Sequence, residues 1–546
     1  MQSYSPVQEG CAGGFLRQMA YLRTEKCAIP PRTAGKKDKE SEMIACTPEQ
    51  TAILDKAPTS SFRVIAGAGC GKTSTLELFS KKWTRHRGLY LAFNTAIAKE
   101  ARARFSTQIE ARTANSYAYR SLNIGQMGRK VQGRYMARDI WRLEKILDRK
   151  ANSAPDTVLK TLSNFLISEG SKITSAHCPE PDKQRNVEIR QFVAQAYKYL
   201  IAFEKHDMPI THDLYLKKFE REQKITGYDY VMVDEAQDLN PVLVSILKKS
   251  ELPIVAVGDP NQSIYAFRGA VDALSDLDGP CLPLTRSWRF GEPVAQMANA
   301  ILQHHSSKPA YSLHGSPTVK SRVMRHQKGL KPEHNTLVLA RTNARLFEGL
   351  ADSTRPFHVL GGVNDMVQEI LAGYNLYQRQ FKPSLRPEGA ALDYATWQDL
   401  ERAAEGRDAD PVAKRLFGIV DKHKDTLDQK IQTIQTLYRD SADEVSLICS
   451  TAHKAKGREF DAVIMLDDFL SPEEWTRRRT QFIQQAKLFE KDKGPLPPIL
   501  KARLKKNLEN CDQEINLLYV ACTRAKLTLS LPDALFQFWK DLKLKA

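Results

Sequence analysis

The sequence predicts an α/β fold built on parallel sheets, and three features of the chain lead to this prediction. A glycine-rich loop, Val64–Thr75, joins an apolar stretch to the start of a helix. A second apolar stretch, Tyr230–Val233, ends in two adjacent carboxylates. Between them, the short apolar stretch Leu89–Phe93 is followed by a helical segment, so strands and helices alternate. This alternation is typical of parallel sheets with helices on both faces.

Length and composition limit the class of protein. The 546 residues, of which 42% are hydrophobic, suffice for roughly three to four domains, and the net charge of +17 favours a polyanionic partner. The nine cysteines are scattered without a C-x-x-C pair, which argues against a disulfide framework or zinc cluster. No apolar run reaches the roughly 18 residues that cross a bilayer. We therefore expect a cytoplasmic protein without a membrane partner, associated with the nucleoid if its source is bacterial.

The first 45 residues differ from the rest of the chain. Gly, Ser, Pro and Lys are frequent there, residues 35–42 form a charge run, and helical periodicity is poor. This composition predicts a mostly disordered tail. A docking or nucleic-acid-binding arm is the alternative.

The glycine-rich loop has the layout of a phosphate-binding loop. Its backbone N–H groups and the following helix N-terminus would surround phosphates, Lys72 would add a positive charge, and Thr73 would offer a hydroxyl to Mg²⁺. Ala66 stands where such loops usually begin with glycine, and a simple strand-to-helix turn is the alternative. The predicted nucleotide-binding residues of the loop are Ala66, Gly67, Ala68, Gly69, Cys70, Gly71, Lys72, Thr73 and Ser74.

The two adjacent carboxylates, Asp234 and Glu235, follow a strand at its carboxyl end, where ligands bind in parallel sheets. Asp234 suits the coordination shell of Mg²⁺, and Glu235 suits the orientation and deprotonation of an attacking water. Adjacent acids at strand ends also occur as ordinary surface residues. Because a phosphate-binding loop precedes this pair, we favour a hydrolytic role.

Further side chains are candidates for nucleotide contacts. Gln50 stands at a helix start, where a capping box and a contact to an adenine edge are equally plausible. The amide of Gln262 could sense a γ-phosphate. Trp288 could stack on adenine, and Arg289 and Arg524 could neutralise charge on the transferred phosphoryl group.

Two segments have side chains suited to nucleic acid. Tyr265 and Phe267, beside the basic Arg268, offer flat faces for base stacking, although aromatic residues in a loop are often core. Residues 450–461 carry hydroxyl, imidazole and lysine groups that suit phosphate contacts, and Glu459 could accept hydrogen bonds from a ribose. A solvated basic loop is the alternative there. The basic stretch 474–506 permits a nucleic-acid role or a solvated face.

Taken in order, nine segments resemble the motifs of superfamily 1 helicases, specifically the UvrD/Rep branch. They are Thr47–Gln50, Ala66–Thr73, Phe93–Ala98, Thr113–Ser116, Val233–Asp238, Gly258–Ala270, Leu284–Phe290, Thr451–Asp461 and Tyr519–Lys526. The motif sequences are most similar to those of the F-box DNA helicase group, for example at Asp467-Asp468-Phe469. No F-box is evident in residues 1–45, so a ubiquitin-ligase role is not implied.

The resemblance implies two RecA-like P-loop domains, each with an inserted, mainly helical subdomain, and with ATP and Mg²⁺ in the cleft between them. We expect the first RecA-like domain at 46–117 and 226–280, its helical insertion at 118–225, the second domain at 281–379 and 443–546, and its small helical insertion at 380–442.

The resemblance also implies residue roles. Hydrolysis is implied for Lys72, Thr73, Asp234 and Glu235, γ-phosphate sensing for Gln262, Arg289 and Arg524, adenine contacts for Gln50 and Trp288, and a ribose contact for Glu459. DNA contacts are implied for Phe93, Asn94, Thr113, Asn115, Tyr265, Phe267, Arg268, Thr451 and His453. Asn115 replaces the usual His of its motif, and Thr95 and Arg458 are further departures; these affect DNA contacts rather than hydrolysis.

The expected function is that of an ATP-dependent DNA helicase that moves 3′ to 5′ on single-stranded DNA, a polarity taken from the resemblance alone. Its expected partners are single-stranded and tailed duplex DNA and the proteins of a repair, recombination or defence complex. One alternative is a motor subunit that strips proteins from single strands with little unwinding. The other is an ATP-switched nucleic-acid-binding module.

Overall fold

The computed structural model describes residues 46–545 except for 147–154, 180–185, 206–207, 266–272, 308, 328–334, 383, 385–393, 395 and 406–410. The predicted tail, residues 1–45, lies outside the described residues. The same holds for two candidate DNA contacts, Phe267 and Arg268.

The strands, in chain order, are short and mostly buried. They are β1 (Phe62–Ala66), β2 (Gly88–Ala92), β3 (Ile109–Thr113), β4 (Val131–Gln132), β5 (Ile210–Thr211), β6 (Tyr230–Val233), β7 (Ile254–Gly258), β8 (Cys281–Leu284), β9 (Arg322–Arg325), β10 (Thr336–Ala340), β11 (His358–Val359), β12 (Leu447–Thr451), β13 (Phe460–Met465) and β14 (Ala525–Leu531).

The helices of the first half are α1 (Pro48–Leu54), α2 (Lys72–Lys82), α3 (Thr95–Arg104), α4 (Ala114–Ser121), α5 (Ala137–Ile146), α6 (Pro155–Ile167), α7 (Asn186–Lys205), α8 (His212–Glu222), α9 (Pro241–Ser250) and α10 (Ala273–Asp276). Those of the second half are α11 (Glu292–Leu302), α12 (Asn343–Ala351), α13 (Asn364–Gln378), α14 (Trp397–Ala404), α15 (Pro411–His423), α16 (Leu427–Leu437), α17 (Ala452–Ala455), α18 (Pro472–Lys493), α19 (Pro498–Cys522) and α20 (Asp533–Lys545).

Two six-stranded parallel sheets organise these elements, with the strand orders β3-β2-β6-β7-β1-β8 and β11-β12-β10-β13-β14-β9. Every residue of the central strands β6 and β7 is buried. Their continuous apolar sequences fit strands covered by helices on both faces. The predicted α/β class with two parallel sheets is confirmed.

The predicted boundary between the two sheet domains, after residue 280, is wrong. Strand β8 pairs with β1 in parallel, with Leu282 opposite Val64, so the first sheet continues to Leu284. The motif that begins at Leu284 suggested the boundary, but strand pairing depends on contacts between distant residues.

Helices fill the segments between the sheet strands. In the first half, α6 packs on α7 and on α8, and the two-residue strands β4 and β5 add a small parallel pair. In the second half, α13 and α14 pack on α15. The third group, α18 and α19, forms a long antiparallel hairpin.

One hydrophobic core cluster includes side chains from both sheets. It contains Phe62 and Val257 of the first sheet, Leu337 and Val463 of the second, and Ile515 of α19. Helix α11 packs on α19 within this cluster. The two sheets are therefore joined by a continuous apolar core. No helix in the described part of the chain is long and apolar enough to span a bilayer.

We predict that Phe79→Ala will lower the free energy of unfolding by roughly 3–5 kcal/mol, because the ring is buried and leaves a cavity. Phe79 makes edge contacts with Phe62 and Tyr230 at centroid distances of 5.5 and 6.0 Å. Urea unfolding measures the change. The control is Leu78→Ala, since Leu78 is 38% exposed; equal losses for both variants would contradict this packing.

Candidate nucleotide site and nucleic-acid surface

The phosphate-binding loop depends on two glycines in the left-handed region. Gly69 has φ +75° and Gly71 has φ +79°, values that glycine adopts readily. A Cβ on Gly69 would lie 2.6 Å from Cβ of Arg289 and 2.6 Å from Oγ of Ser287. Gly71 caps the N-terminus of α2, so the first turn of this helix begins at Lys72. The loop therefore closes tightly against the segment that carries Arg289.

The candidate catalytic residues of the loop and of β6 meet at the carboxyl edge of the first sheet. Lys72 Nζ lies 2.9 Å from Oε2 of Glu235. The hydroxyl of Thr73 donates to Oδ2 of Asp234 at 2.8 Å, and the Tyr90 hydroxyl donates to the same oxygen at 2.8 Å. The structure thus brings together Lys72, Thr73, Asp234 and Glu235, the four residues that the resemblance implies in ATP hydrolysis.

The charges of this cluster perturb one another. Burial lowers the pKa of Lys72, but Glu235 and Asp234 outweigh this effect and raise it above the ordinary value. Burial, and then the charge of Glu235, raise the pKa of Asp234. Burial also opposes ionisation of Glu235, yet Lys72 and Lys456 lower its pKa to about 2. Glu235 is therefore ionised, which is the form that a general base requires.

The donor set of Thr73 and Asp234 fits Mg²⁺. A hydroxyl and a carboxylate 2.8 Å apart supply hard oxygen ligands. Mg²⁺ in phosphate-transfer sites is typically held by one or two protein oxygens together with phosphate oxygens and water. These two residues are the ones that would hold the ion, which would neutralise charge developing on a phosphoryl group.

Glu235 has an unusual backbone. Its φ of 53° and ψ of 43° lie in the left-handed region, which is uncommon for a residue other than glycine. Its N–H donates to Oδ1 of Asp234 at 2.9 Å. Such conformations persist where surrounding contacts impose them, and they cluster at functional sites.

Arg289 and Arg524, the two arginines expected to sense the γ-phosphate, are held by residues of the second half of the chain. Arg289 donates from Nε to Glu459 at 2.8 Å and from Nη1 to the Thr523 carbonyl at 3.1 Å. Arg524 is 1% exposed and donates to the carbonyls of Val520 and Arg458.

The charge of Arg524 is poorly compensated. Burial, and then the neighbouring Arg289, lower its pKa to about 9, while Glu235 opposes the shift. No carboxylate of the described residues forms an ion pair with Arg524. A buried guanidinium bonded to neutral acceptors favours an incoming anion.

Gln50 and Trp288 flank the same end of the loop. A Cβ on Gly71 would lie 3.7 Å from Cδ1 of Trp288 and 3.8 Å from Nε2 of Gln50. Gln50 completes the predicted capping box with Thr47, and its Nε2 also donates to Thr75. Trp288 is 39% exposed, and its backbone N–H donates to the Gly69 carbonyl at 2.9 Å. Both interpretations of Gln50 are compatible with this arrangement.

The remaining predicted nucleotide residues have protein partners. The Gln262 amide donates to Oδ2 of Asp259 at 2.7 Å. Glu459 bonds to Arg289, as described, and to Lys526 at 3.0 Å. The Ser74 hydroxyl accepts from Arg104 at 3.3 Å.

A buried hydrogen-bond network joins the loop to α19, and it was not predicted from the sequence. Tyr519 accepts from the N–H of Ala68 at 3.0 Å and donates to Oδ2 of Asp259 at 2.9 Å. The Tyr311 hydroxyl donates to Oδ1 of Asp259 at 2.6 Å. All these groups are buried. Tyr519 lies within a motif quoted above, but nothing near Tyr311 in the sequence marks it.

Two further residues connect the nucleotide site to its surroundings. Gln237 donates to Glu235 at 2.6 Å and accepts from the N–H of Asp259 at 2.9 Å. Lys456 forms a buried ion pair with Asp238 and lies 5.0 Å above the ring of Tyr265. Neither residue was predicted as a site residue. Both belong to motifs quoted above, and this membership could have identified them.

The candidate DNA contacts form an aromatic cluster. Phe93, 45% exposed, stacks on Tyr265 with ring centroids 5.9 Å apart and planes 14° apart. The Tyr265 hydroxyl donates to the carbonyl of His453 at 3.0 Å, and their rings are 6.5 Å apart. Residues from both halves of the chain thus build one surface.

The other candidate DNA contacts differ in their local roles. Asn94 and Thr113 cap the N-termini of α3 and α4 through their side-chain oxygens. The Oδ1 atom of Asn115 is buried without a hydrogen-bond partner among the described residues. Thr451 is buried before α17 and makes no side-chain cap. Phe93, Thr113, Asn115 and Tyr265 line a common cavity of about 670 Å³.

Comparison with known proteins agrees with this geometry. Residues 46–275 match the family model of the UvrD/REP helicase N-terminal domain. The resemblance to UvrD/Rep-type DNA helicases is confirmed.

Three named proteins are similar to this chain over more than half of its length. "F-box DNA helicase 1" of Gallus gallus is 29% identical over 90% of this chain and 49% of its own length. "F-box DNA helicase protein 1" of Schizosaccharomyces pombe is 25% identical over 93% of this chain and 58% of its own. "ATP-dependent DNA helicase PcrA" of Staphylococcus epidermidis is 25% identical over 55% of this chain and 49% of its own. The chain spans about half the length of these relatives.

We predict that Tyr519→Phe will lower the free energy of unfolding by about 1–3 kcal/mol, because it leaves buried polar groups of Ala68 and Asp259 with one partner fewer. A double-mutant cycle with Tyr311→Phe should give a coupling energy of roughly 0.5–3 kcal/mol, since both hydroxyls bond to one carboxylate. Urea unfolding provides the measurement. Tyr197→Phe, at an exposed ring of α7, is the control, and additivity of the Tyr311 and Tyr519 changes would argue against a shared network.

Proposed function

We propose that this chain is an ATP-dependent motor on single-stranded DNA that couples Mg²⁺-assisted ATP hydrolysis to 3′-to-5′ movement and to duplex unwinding. The observation that carries the proposal is the contact of the glycine-rich loop with α19, in which the N–H of Ala68 donates to Tyr519, five residues before Arg524. A nucleotide bound between them would be held from both sides.

The cluster around the loop has the groups that hydrolysis needs. Lys72 and the helix N-terminus would bind the β- and γ-phosphates, and Thr73 with Asp234 would hold Mg²⁺. Glu235 would orient the attacking water and accept its proton. If Lys72 turned to a phosphate, Glu235 would lose one of the two lysines that lower its pKa, so its basicity would rise.

Arg289 and Arg524 would stabilise the charge of the transferred phosphoryl group. Both are anchored at the second half of the cleft, Arg289 through the Thr523 carbonyl and Arg524 through its burial after α19. Loss of the γ-phosphate would remove the anion that compensates Arg524. The cleft would then favour a more open arrangement, which is the conformational part of the cycle.

The contacts of Lys456 could couple ATP hydrolysis to DNA binding. Its amine bonds to Asp238, three residues after Glu235, and to the carbonyl of Gln262, while its charge lies over the Tyr265 ring. A change at the phosphate site would alter the same contacts that position Tyr265. We therefore propose that this residue couples nucleotide state to the grip of the aromatic cluster on the strand.

The aromatic cluster suits single strands rather than duplex. Unpaired bases can stack on Phe93 and Tyr265, an interaction that does not depend on sequence. The names of the relatives support DNA as the substrate, and the net charge of +17 agrees with a polyanion. Duplex unwinding and polarity rest on the resemblance to this helicase branch.

A stripping motor is the second candidate function. It would use the same ATP cycle to displace proteins from a single strand, with little unwinding. Both activities would use the same ATP site, so a functional assay is needed to distinguish them.

We predict that Lys72→Ala and Glu235→Gln will each reduce DNA-stimulated ATP turnover by at least about 100-fold, since each removes a group that acts on the phosphates or the attacking water. Glu235→Gln should still bind a fluorescent ATP analogue. Steady-state turnover with and without single-stranded DNA measures the effect. Lys81→Ala and Glu100→Gln, both at exposed side chains, are the matched controls.

The wild-type chain should also separate a 3′-tailed duplex and not a 5′-tailed one. Displacement of a bound protein without unwinding would instead identify the stripping motor. If single-stranded DNA failed to stimulate turnover, the chain would be an ATP-switched binding module and the motor proposal would fail.

We predict that Phe93→Ala will weaken single-strand binding by about 1–3 kcal/mol, or roughly 5- to 150-fold, because one stacking platform is lost. Affinity for the ATP analogue should not change. Fluorescence anisotropy with a labelled oligonucleotide provides the measurement. Phe381→Ala, at a ring that is 67% exposed beyond α13, is the control; an unchanged affinity of Phe93→Ala would place the strand elsewhere.

A further inference from the structure

The outer part of the α18–α19 hairpin has no role in the proposed ATP cycle or in the aromatic cluster. Its helices span 22 and 25 residues and are joined at residues 494–497. Between 481 and 510, no side chain that the structure describes is fully buried. The outer part of the hairpin therefore projects from the rest of the protein.

The hairpin has its own apolar seam. Phe482, Ala486 and Phe489 of α18 are half-buried, and so are Leu504 and Leu508 of α19. Spacings of three and four residues place each set on one face of its helix. Two helices packed along such a seam hold each other in place without a supporting core. The projection is therefore an ordered arm rather than a loose loop.

The outer surface of the arm is basic. Residues 481–510 contain seven Lys or Arg and three Asp or Glu. Lys487, Lys491, Lys501 and Lys506 are exposed, and none of them forms an ion pair with the described residues. Their charges are therefore available to a partner.

The composition of this surface favours a polyanion over a protein. Protein interfaces are enriched in aromatic residues and depleted in lysine at their cores, whereas phosphate backbones attract lysine without needing apolar contacts. Among the described residues of the arm, Leu488 is the one large hydrophobic side chain that is strongly exposed, at 60%.

The arm starts beside the candidate strand-binding surface. Helix α19 packs on residues Pro260–Gln262 and on α17, which carries His453. The Asn516 amide donates to the carbonyl of Ser263, two residues before Tyr265. From Asn516 to Pro498 the helix extends about 27 Å, at 1.5 Å per residue. That length is comparable to about eight steps of double-stranded DNA.

We propose that the α18–α19 hairpin is an arm that contacts the phosphate backbone of the duplex adjoining the single strand. This inference rests on the proposed function, because a single-stranded track is needed to bring the duplex near the arm. Since α19 runs without interruption to the residue before Thr523 and Arg524, the arm and the nucleotide site share one helix. The arm would therefore move with the part of the cleft that responds to nucleotide.

The test is the variant K487Q/K491Q/K501Q/K506Q, compared with the wild type for binding to a 3′-tailed DNA duplex and to a single strand at several salt concentrations. A matched control, K160Q/K198Q/K248Q/K540Q, removes the same charge from exposed lysines elsewhere. For the arm variant we expect affinity for the tailed duplex to fall about tenfold or more. The log–log salt dependence should become shallower by about 0.9 for each lost phosphate contact. Single-strand affinity and DNA-stimulated ATP turnover should match the wild type.

An unchanged affinity and salt slope on the tailed duplex would overturn the arm proposal, as would an equal loss in the control variant. If single-strand binding fell as much as duplex binding, the arm would contact the strand instead, which also contradicts the proposal. Failure of the proposed function would be distinguished from failure of the arm proposal by a different result: single-stranded DNA would not stimulate ATP turnover by the wild-type chain.

Discussion

The site depends on a buried carboxylate that must be hydrogen-bonded. Asp259 is fully buried at the end of β7, where an unpaired negative charge would be strongly unfavourable. Its two oxygens accept from Tyr311, Tyr519 and Gln262, so elements distant in sequence must meet at this point. Because Tyr519 also accepts from the loop N–H of Ala68, satisfying Asp259 brings α19 against the phosphate-binding loop. The relative placement of the two sheets at the cleft follows from this requirement.

Positive charge accumulates around the same point. Lys72 begins the helix after the loop, Arg289 lies against Gly69 of the loop, and Arg524 is close enough to Arg289 to be affected by its charge. Their partners are Glu235, Glu459 and neutral acceptors. Burial makes the charge of Arg524 unfavourable, which is why its pKa is lowered. A polyphosphate bound here, as proposed, would compensate this charge. The left-handed backbone of Glu235 is a second local strain at the same cluster.

Sequence reasoning was most successful where the chemistry is local. The glycines of the loop, Lys72 with Thr73, and Asp234 with Glu235 are each adjacent in the chain, and their turn geometry follows from a few neighbouring residues. The capping box of Thr47 and Gln50 is local for the same reason. The domain boundary predicted after residue 280 was wrong, because a strand such as β8 can join either sheet without changing its own sequence.

The sequence by itself determined that strands and helices alternate, where the glycine-rich loop lies, and which carboxylates follow a strand, since these properties depend on residues within a few positions of one another. Only the tertiary structure decided that Tyr311 and Tyr519 share Asp259, that Lys456 pairs with Asp238, and that α18 and α19 project as one hairpin. The physical reason is that a hydrogen bond or ion pair between residues tens or hundreds of positions apart needs both partners to be brought together by packing, and a pattern along the chain does not encode that distance.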